Sequence, residues 1–425
     1  MFKGARKFLK SAGPGIITGA ADDDCSGIAT YTQTGAQFGY GQLWTAAFLL
    51  PFMIAVQEAC ARIGAVAGKG ITAVIKEHYS KKVLYAALCF VIIANTINIG
   101  ADLGAMGAAA QLIIPVHFTI LTLGFTVIIL LLEIFVSYKI YARILKWLAL
   151  ALISYPVTLF LVKQPWETLL RATFIPHIEF NFAFLFIITG VLGTTISPYM
   201  FFWQASEEVE EEKERHLLRH GIPHLTKRFI RFLRLDTFIG MLSSQIATWS
   251  IIVVSATVLN ANGITDIGTA ADAAKALEPL VQTFPNAGLI AKVIFAIGII
   301  GLGLLAVPVL SASASYALSE TFNWKEGLNL KFKKAHGFYG VIIIATLIGL
   351  SINFIGINPI KALIFAAVLN GVAAVPLLFI IARIARNEKI MGQHRSGLLS
   401  SSFVWATFSL MCVSAIAMFL APSLS

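Results

Sequence analysis

The sequence predicts an all-α integral membrane protein whose eleven transmembrane helices form an inverted five-plus-five repeat, with the first and sixth helices broken. Two observations carry this prediction. The chain of 425 residues is 57% hydrophobic and only 13% charged, with a mean hydropathy of +0.80, whereas soluble domains carry about 25% charged residues. Two of its hydrophobic segments are also interrupted at matching places in the two halves. The first runs from Gly13 to Thr30 with Asp22-Asp23-Asp24-Cys25-Ser26-Gly27 at its centre, and the second from Gly190 to Met200 around Thr194-Thr195-Ile196-Ser197-Pro198-Tyr199. Unwound backbone in hydrocarbon is tolerated only where it lines an enclosed or watery cavity, so paired breaks point to a transported ion or solute.

A helix needs roughly 20 apolar residues to cross a bilayer. On that measure the spans fall near 12–39, 43–67, 83–112, 117–137, 140–162, 181–205, 236–259, 287–318, 337–354, 359–384 and 399–421. No Pro/Gly/Ser linker or compositional shift divides the chain, so residues 1–425 read as a single membrane transport domain. Its first repeat covers about 12–162, its second about 181–384, and an extra helix follows near 399–421.

Orientation follows from the cations. With the N-terminus in the cytoplasm, all but five of the 32 Lys and Arg fall on inner segments and adjoining helix ends, leaving Lys163, Arg171, Lys275, Lys292 and Lys361 outside. The inner group includes Lys3, Arg6, Lys7, Lys10, Lys76, Lys81, Lys82, Arg215 through Arg234 and Lys331 through Lys334. This asymmetry is the positive-inside pattern and places the C-terminus outside, in a plasma or bacterial inner membrane. The net charge of +10 is dispersed over inner loops rather than gathered on one face, which argues for topology and against nucleic acid. A signal peptide is excluded, because the apolar run from Ile16 is short and three aspartates follow it directly.

Three stretches lie between spans. Ser206 to Asp236 opens with Glu207, Glu208, Glu210, Glu211, Glu212 and Glu214 and then turns basic, which reads as a helical extension and a solvated charged loop. Thr269 to Leu280 has Ala and Leu at helical spacing and predicts a short surface helix. Lys325 to Lys334 reads as a basic inner loop. Cys25, Cys60, Cys89 and Cys412 show neither zinc nor disulfide spacing and read as free thiols; Cys25, in the first break, either packs or touches a passing ion.

Acidic residues inside spans are costly, so Asp22, Asp23, Asp24, Glu58, Asp102 and Glu133 are each candidates for function. Three adjacent carboxylates repel one another unless a cation or bound water relieves them, and carboxylates joined by freed carbonyls are the ligands hard cations prefer. Asp22 and Asp23 either serve such a cation or cap the half-helices, while Asp24 reads as a ligand. Thr194, Thr195 and Ser197 offer hydroxyls at the second break, although hydroxyls in membrane helices commonly satisfy their own backbone. Asn95, Asn98 and Asp102 share one helix face and either line a pathway or join helices. Glu58 and Arg62, spaced i and i+4, predict an internal ion pair or gate contact, Glu133 predicts an interfacial position, and Asn370 is a further candidate ligand.

These residues resemble the Nramp family of divalent metal transporters. The match is closest in the first fifty residues, where Gly13-Pro14-Gly15 and Thr34-Gly35-Ala36-Gln37-Phe38-Gly39-Tyr40 followed by Leu43-Trp44 keep the spacing of the family's first span. The resemblance implies a LeuT-type fold. It sets Asp24-Cys25-Ser26-Gly27 on the family's Asp-Pro-Gly-Asn metal motif, so Asp24 is the implied carboxylate ligand and Gly27 stands where an asparagine ligand would be. In the sixth span Ser197-Pro198-Tyr199 stands on a Met-Pro-His motif, and Thr194 on an alanine whose carbonyl binds metal. The implied metal set is Asp24, Gly27, Thr194 and Ser197, with Asp22, Asp23, Cys25, Asn95, Asn98, Asp102, Tyr199, Met200, Gln204 and Asn370 around it or along the pathway.

The departures bear on substrate. Thioethers favour softer transition metals, while carboxylate, hydroxyl and water suit Mg2+, Ca2+ and Mn2+. Ser197 in place of methionine should therefore remove discrimination against hard ions, and Mg2+, which keeps several waters, suits a wider hydroxyl-lined site; this resembles the Nramp-related magnesium transporter branch. Met200 could still supply a thioether if the unwound segment shifts register. The family's histidines appear as Tyr199 and Gln204, and no arginine occurs in 337–355, so a proton relay is hard to build. The expectation is a carrier that is not an enzyme and uses no cofactor. It would import Mg2+ with Mn2+ tolerated by alternating access, with no nucleic acid and no obligate protein partner beyond the lipid bilayer. The rival is a proton-coupled Mn2+/Fe2+ symporter.

Overall fold

The computed structural model describes residues 13–136, 153–219, 222–223 and 225–424. The predicted span near 140–162 lies largely outside them, as do Lys3, Arg6, Lys7 and Lys10.

The first broken helix consists of α1 (Pro14–Asp22) and α2 (Cys25–Phe38); α3 (Trp44–Ala67), the short α4 (Ile71–His78), α5 (Lys81–Gln111), α6 (Phe118–Phe135), α7 (Ser154–Leu161) and α8 (Trp166–Phe174) follow. The second broken helix consists of α9 (Phe182–Thr195) and α10 (Pro198–Glu214). Then come α11 (Lys227–Val258), α12 (Ala270–Ala274), α13 (Ala287–Phe322), α14 (His336–Ile352), α15 (Pro359–Arg386) and α16 (Leu398–Leu424). Among the described residues the only strand pairing is a two-residue antiparallel ladder, Leu218–Arg219 with Ile222–Pro223. Eight helical stretches among the described residues are long and apolar enough to cross a bilayer, with α9 and α10 taken as one. The helices start where sequence chemistry allows. Asn181, Thr226 and Asn358 accept hydrogen bonds from the first turns of α9, α11 and α15, and Pro14, Pro198 and Pro359 occupy first-turn positions where no N–H is needed. Outward-facing Ile120, Val127 and Leu131 on α6 remain more than half or about half exposed, as a lipid-facing surface requires.

Lipid supplies no hydrophobic drive between helices, so close backbone contact through small residues matters most. The same contact occurs in both halves. α1 lies on α11, where a Cβ on Gly19 would fall 2.3 Å from the Gly240 carbonyl oxygen; α10 lies on α3, where a Cβ on Gly64 would fall 2.2 Å from the Ala205 carbonyl oxygen. α9 and α15 meet likewise, Gly193 facing the Ala367 carbonyl.

The Gly13-Pro14-Gly15 motif gains its reason here. The Asp236 carboxylate of α11 accepts hydrogen bonds from the backbone N–H of Gly13 (2.8 Å), Gly15 (2.6 Å) and Ile16 (3.3 Å), so it caps α1 from a neighbouring helix. A Cβ on Gly15 would sit 2.6 Å from the Thr237 backbone, which closes that approach.

Four expectations change. Asp236 is not the end of a soluble stretch, because α11 already starts at Lys227 and buries Asp236 against α1. The glutamate run is not a solvated loop: α10 continues to Glu214 alongside α3 and α13, and Glu207, Glu208, Glu210 and Glu212 are buried. Gln204 donates to Glu208 (2.9 Å), and Lys213 and Asn329 donate to Glu210 (2.9 and 3.2 Å). Glu133 is not interfacial but buried, accepting a 2.7 Å hydrogen bond from Ser311 of α13. The Thr269 to Leu280 stretch is helical in short pieces, and Ala270, Ala273, Ala274 and Leu277 are buried rather than on the surface. Glu58 and Arg62 do pair, through two 3.0 Å hydrogen bonds, and Arg234 adds a third to Glu58.

Two substitutions test this packing. Gly240→Ala drives a Cβ to 2.1 Å from the Gly15 carbonyl oxygen and should cost about 1–3 kcal/mol as overpacking. Asp236→Ala removes the cross-helix cap and should cost roughly 0.5–2 kcal/mol. Both should lower the thermal midpoint in detergent; a midpoint unchanged in both would refute the packing account.

Candidate metal site

The two breaks face each other. Asp24 is the N-cap of α2: its Oδ1 accepts from the Gly27 N–H (2.8 Å) and the Ser26 hydroxyl (2.6 Å), and its Oδ2 from the Asn98 amide of α5 (2.8 Å). Asn370 of α15 continues the chain by donating to the Asn98 carbonyl oxygen at 3.5 Å. Across the gap, the Thr194 hydroxyl at the end of α9 lies 3.3 Å from that of Ser26 and would lie equally close to a Cβ on Gly27. A Cβ there would also meet the Tyr31 ring at 3.2 Å, so glycine permits the close approach of the two breaks. Asp24, Gly27, Thr194, Asn98 and Asn370 thus come together, all buried.

Ser197 sits at the second break but is turned onto its own backbone, its hydroxyl donating to the Gly193 and Thr194 carbonyls at 2.7 and 2.8 Å. Tyr199 ties the breaks together, donating to the Ala21 carbonyl at 2.8 Å. Gln204 lies farther along α10 and accepts a hydrogen bond from Thr18 of α1 (2.5 Å). Met200 is buried in an apolar cluster that includes Leu103, Met106 and Leu305 together with Ala21 and Tyr199 of the breaks. Cys25 packs on α13, its thiol reaching the Ile299 carbonyl at 3.4 Å. The α5 face divides: Asn98 serves Asp24, Asn95 donates instead to the Leu310 carbonyl (3.0 Å), and neither oxygen of fully buried Asp102 has a hydrogen-bond partner among the described residues.

Asp22 and Asp23 do not cap the half-helices. They point to α11, where Ser244 donates to Asp22 and also reaches Asp23 (3.3 Å), and Thr248 reaches Asp23 (3.4 Å). Ser26, Tyr31, Ser244 and Thr248 were not singled out from the sequence; Ser244 and Thr248 stand at i, i+4, but Ser243, Gln245, Ser250, Ser255 and Thr257 in the same span dilute that signal.

Among the described residues no three His, Cys, Asp or Glu side chains converge on one point. A cation held here would therefore use one or two carboxylates completed by hydroxyl, amide and carbonyl oxygens and by water, the donor set of hard divalent ions. A cavity of about 750 Å3 opens beside the C-terminal half of α2, between α2, α5, α9 and α15, with Gln33, Gln37, Asp266, Asn353 and Lys361 among its lining residues. It stops short of Asp24, whose surroundings are closed.

A family model described as natural resistance-associated macrophage protein-like, Nramp, matches residues 15–421. The divalent metal cation transporter MntH of Caldanaerobacter subterraneus subsp. tengcongensis is 25% identical over 417 residues, covering 94% of this chain and 91% of that protein. Among solved structures, the manganese transporter of Eremococcus coleocola superposes with a TM-score of 0.76 at 13% identity, over 98% of this chain and 87% of that one. MhsT, solved with L-phenylalanine, superposes with a TM-score of 0.56 at 14% identity over 96% and 98%. A match of this extent, on a LeuT-type fold with two facing helix breaks, means that the chain belongs to the Nramp family.

Proposed function

We propose that this protein imports divalent cations across a cell membrane by alternating access, with Mg2+ preferred, Mn2+ tolerated and no obligatory proton coupling. Family membership and the relatives named as divalent metal cation transporters support the coarser part, a metal cation carrier and no enzyme, in which the ion is substrate rather than cofactor. The finer part rests on one observation. Oxygen donors gather around the Asp24 carboxylate where the breaks meet, while Met200 belongs to an apolar cluster.

Asp24 already accepts three hydrogen bonds. A carboxylate has about four acceptor sites, so roughly one remains for direct coordination. That suits Mg2+, which dehydrates reluctantly and binds through one or two carboxylates while keeping several waters. Gly27 leaves room for those waters, and Thr194, Ser26 and the Asn98 and Asn370 amides can receive or supply their hydrogen bonds. Uptake would draw on membrane potential, worth about 2.3 kcal/mol per charge per 100 mV. The N-terminus in the cytoplasm and the C-terminus outside, in a plasma or bacterial inner membrane, complete the proposal.

A second reading has its own observation. Asp102 is buried near Asp24 with no hydrogen-bond partner for either oxygen among the described residues, a place for a proton, and this favours the proton-coupled Mn2+/Fe2+ symporter reading.

In reconstituted liposomes Asp24→Ala should abolish Mg2+ uptake while the protein keeps its elution profile. Retained uptake would sink the site assignment. Ser197→Met should shift the Mn2+ to Mg2+ uptake ratio toward Mn2+ by on the order of tenfold, equivalent to ~1.4 kcal/mol; an unchanged ratio would mean that this position does not set selectivity.

A further inference from the structure

The three aspartates of the first break part company. Asp24 turns to α5 and α15, while Asp22 and Asp23 turn to α11. Both are fully buried, and no ion pair among the described residues reaches either. Asp22 Oδ1 has no hydrogen-bond partner among the described residues, although the other oxygen of the same carboxylate accepts from Ser244, the hydroxyl that also reaches Asp23. Thr248, one turn along α11, reaches Asp23 at 3.4 Å. The Tyr31 hydroxyl of α2 lies near both carboxylates and 3.1 Å from the Thr195 hydroxyl of α9. Two carboxylates and four hydroxyls from the first break, α2, α9 and α11 therefore lie together on the α11 side of Asp24.

Two adjacent carboxylates in a low-dielectric interior cannot both stay ionised without a compensating positive charge. Among the described residues no lysine, arginine or histidine pairs with either. The pair carries two negative charges when ionised, and the surrounding donors are all oxygen, which suits Mg2+, Mn2+ or Ca2+ and disfavours soft metals.

We propose that Asp22, Asp23, Ser244 and Thr248, with Tyr31 and Thr195 beside them, form a second divalent-cation pocket, separate from the Asp24 site and adjoining it on the α11 side. The proposal rests on the carrier reading above, since an ion reaches this depth only through the carrier's own pathway. An ion held here would repel one at Asp24, so occupancy of one pocket would favour release from the other.

Mn2+ titrated calorimetrically onto the purified full-length protein in nanodiscs tests this, with elution profile and melting temperature as folding controls. The expected result is two ions per chain in the wild type and one in each of Asp23→Asn, the double variant Ser244→Ala/Thr248→Ala, and Asp24→Ala. A single ion in the wild type, lost in Asp24→Ala, leaves the carrier reading standing and overturns the second pocket; it would mean that the aspartate pair holds protons instead. A single ion kept in Asp24→Ala and lost in Asp23→Asn supports the pocket and overturns Asp24 as the transport ligand. Should Asp23→Asn fail to fold, the hydroxyl double variant decides, and two ions retained there overturn the proposal.

Discussion

A helix broken in hydrocarbon frees backbone N–H and C=O groups that water does not reach, and each one left alone costs several kcal/mol. The rest of this structure follows from how those groups are satisfied. Asp236 takes the N-terminal N–H groups of α1, Tyr199 takes the Ala21 carbonyl near its C-terminal end, Asp24 takes the Gly27 N–H at the start of α2, and Ser197 takes the last carbonyls of α9. Two of these four partners, Asp236 and Tyr199, come from another helix. Because Tyr199 belongs to the second break and Ala21 to the first, moving either half-helix disturbs a hydrogen bond to the other, and this gives the two breaks a mechanical link as well as a shared chamber.

The same partners explain how carboxylates persist in the interior. Asp24 is both cap and candidate ligand, and the roles reinforce each other, since a carboxylate held by Gly27, Ser26 and Asn98 loses little further freedom when it meets an ion. Asp236 is a cap alone, fully engaged with backbone. Asp22, Asp23 and Asp102 are different, because hydroxyls or nothing at all face their oxygens. Groups of that kind are expensive in a membrane and are retained where a cation or proton passes. Backbone contacts at Gly19 and Gly240, and again at Gly64 and Ala205, bring the helices that carry these groups close enough to matter in both halves.

Much of this was legible in the chain. The positions of the two breaks, the Gly13-Pro14-Gly15 start and the Glu58 and Arg62 pair follow from local rules of hydropathy, helix chemistry and i, i+4 spacing. What local rules could not reach were contacts across the fold. Asp236 looked like the edge of a charged loop because its partners lie more than two hundred residues away, at the N-terminus of α1. The glutamates of α10 looked solvated because charge composition says nothing of the helices that cover them, and Glu133 looked interfacial because Ser311 is on α13. The direction in which each of three consecutive aspartates turns depends on where the chain unwinds, and that is fixed by packing against α5 and α11 rather than by the residues themselves.

The central claim is that this chamber carries a hard divalent ion without a companion proton. Mg2+ entry into liposomes under a negative-inside potential, followed together with lumenal pH, tests it most directly. The account predicts Mg2+ entry, with competition by Mn2+, at constant lumenal pH; entry of Mn2+ but not Mg2+, accompanied by acidification, would contradict it.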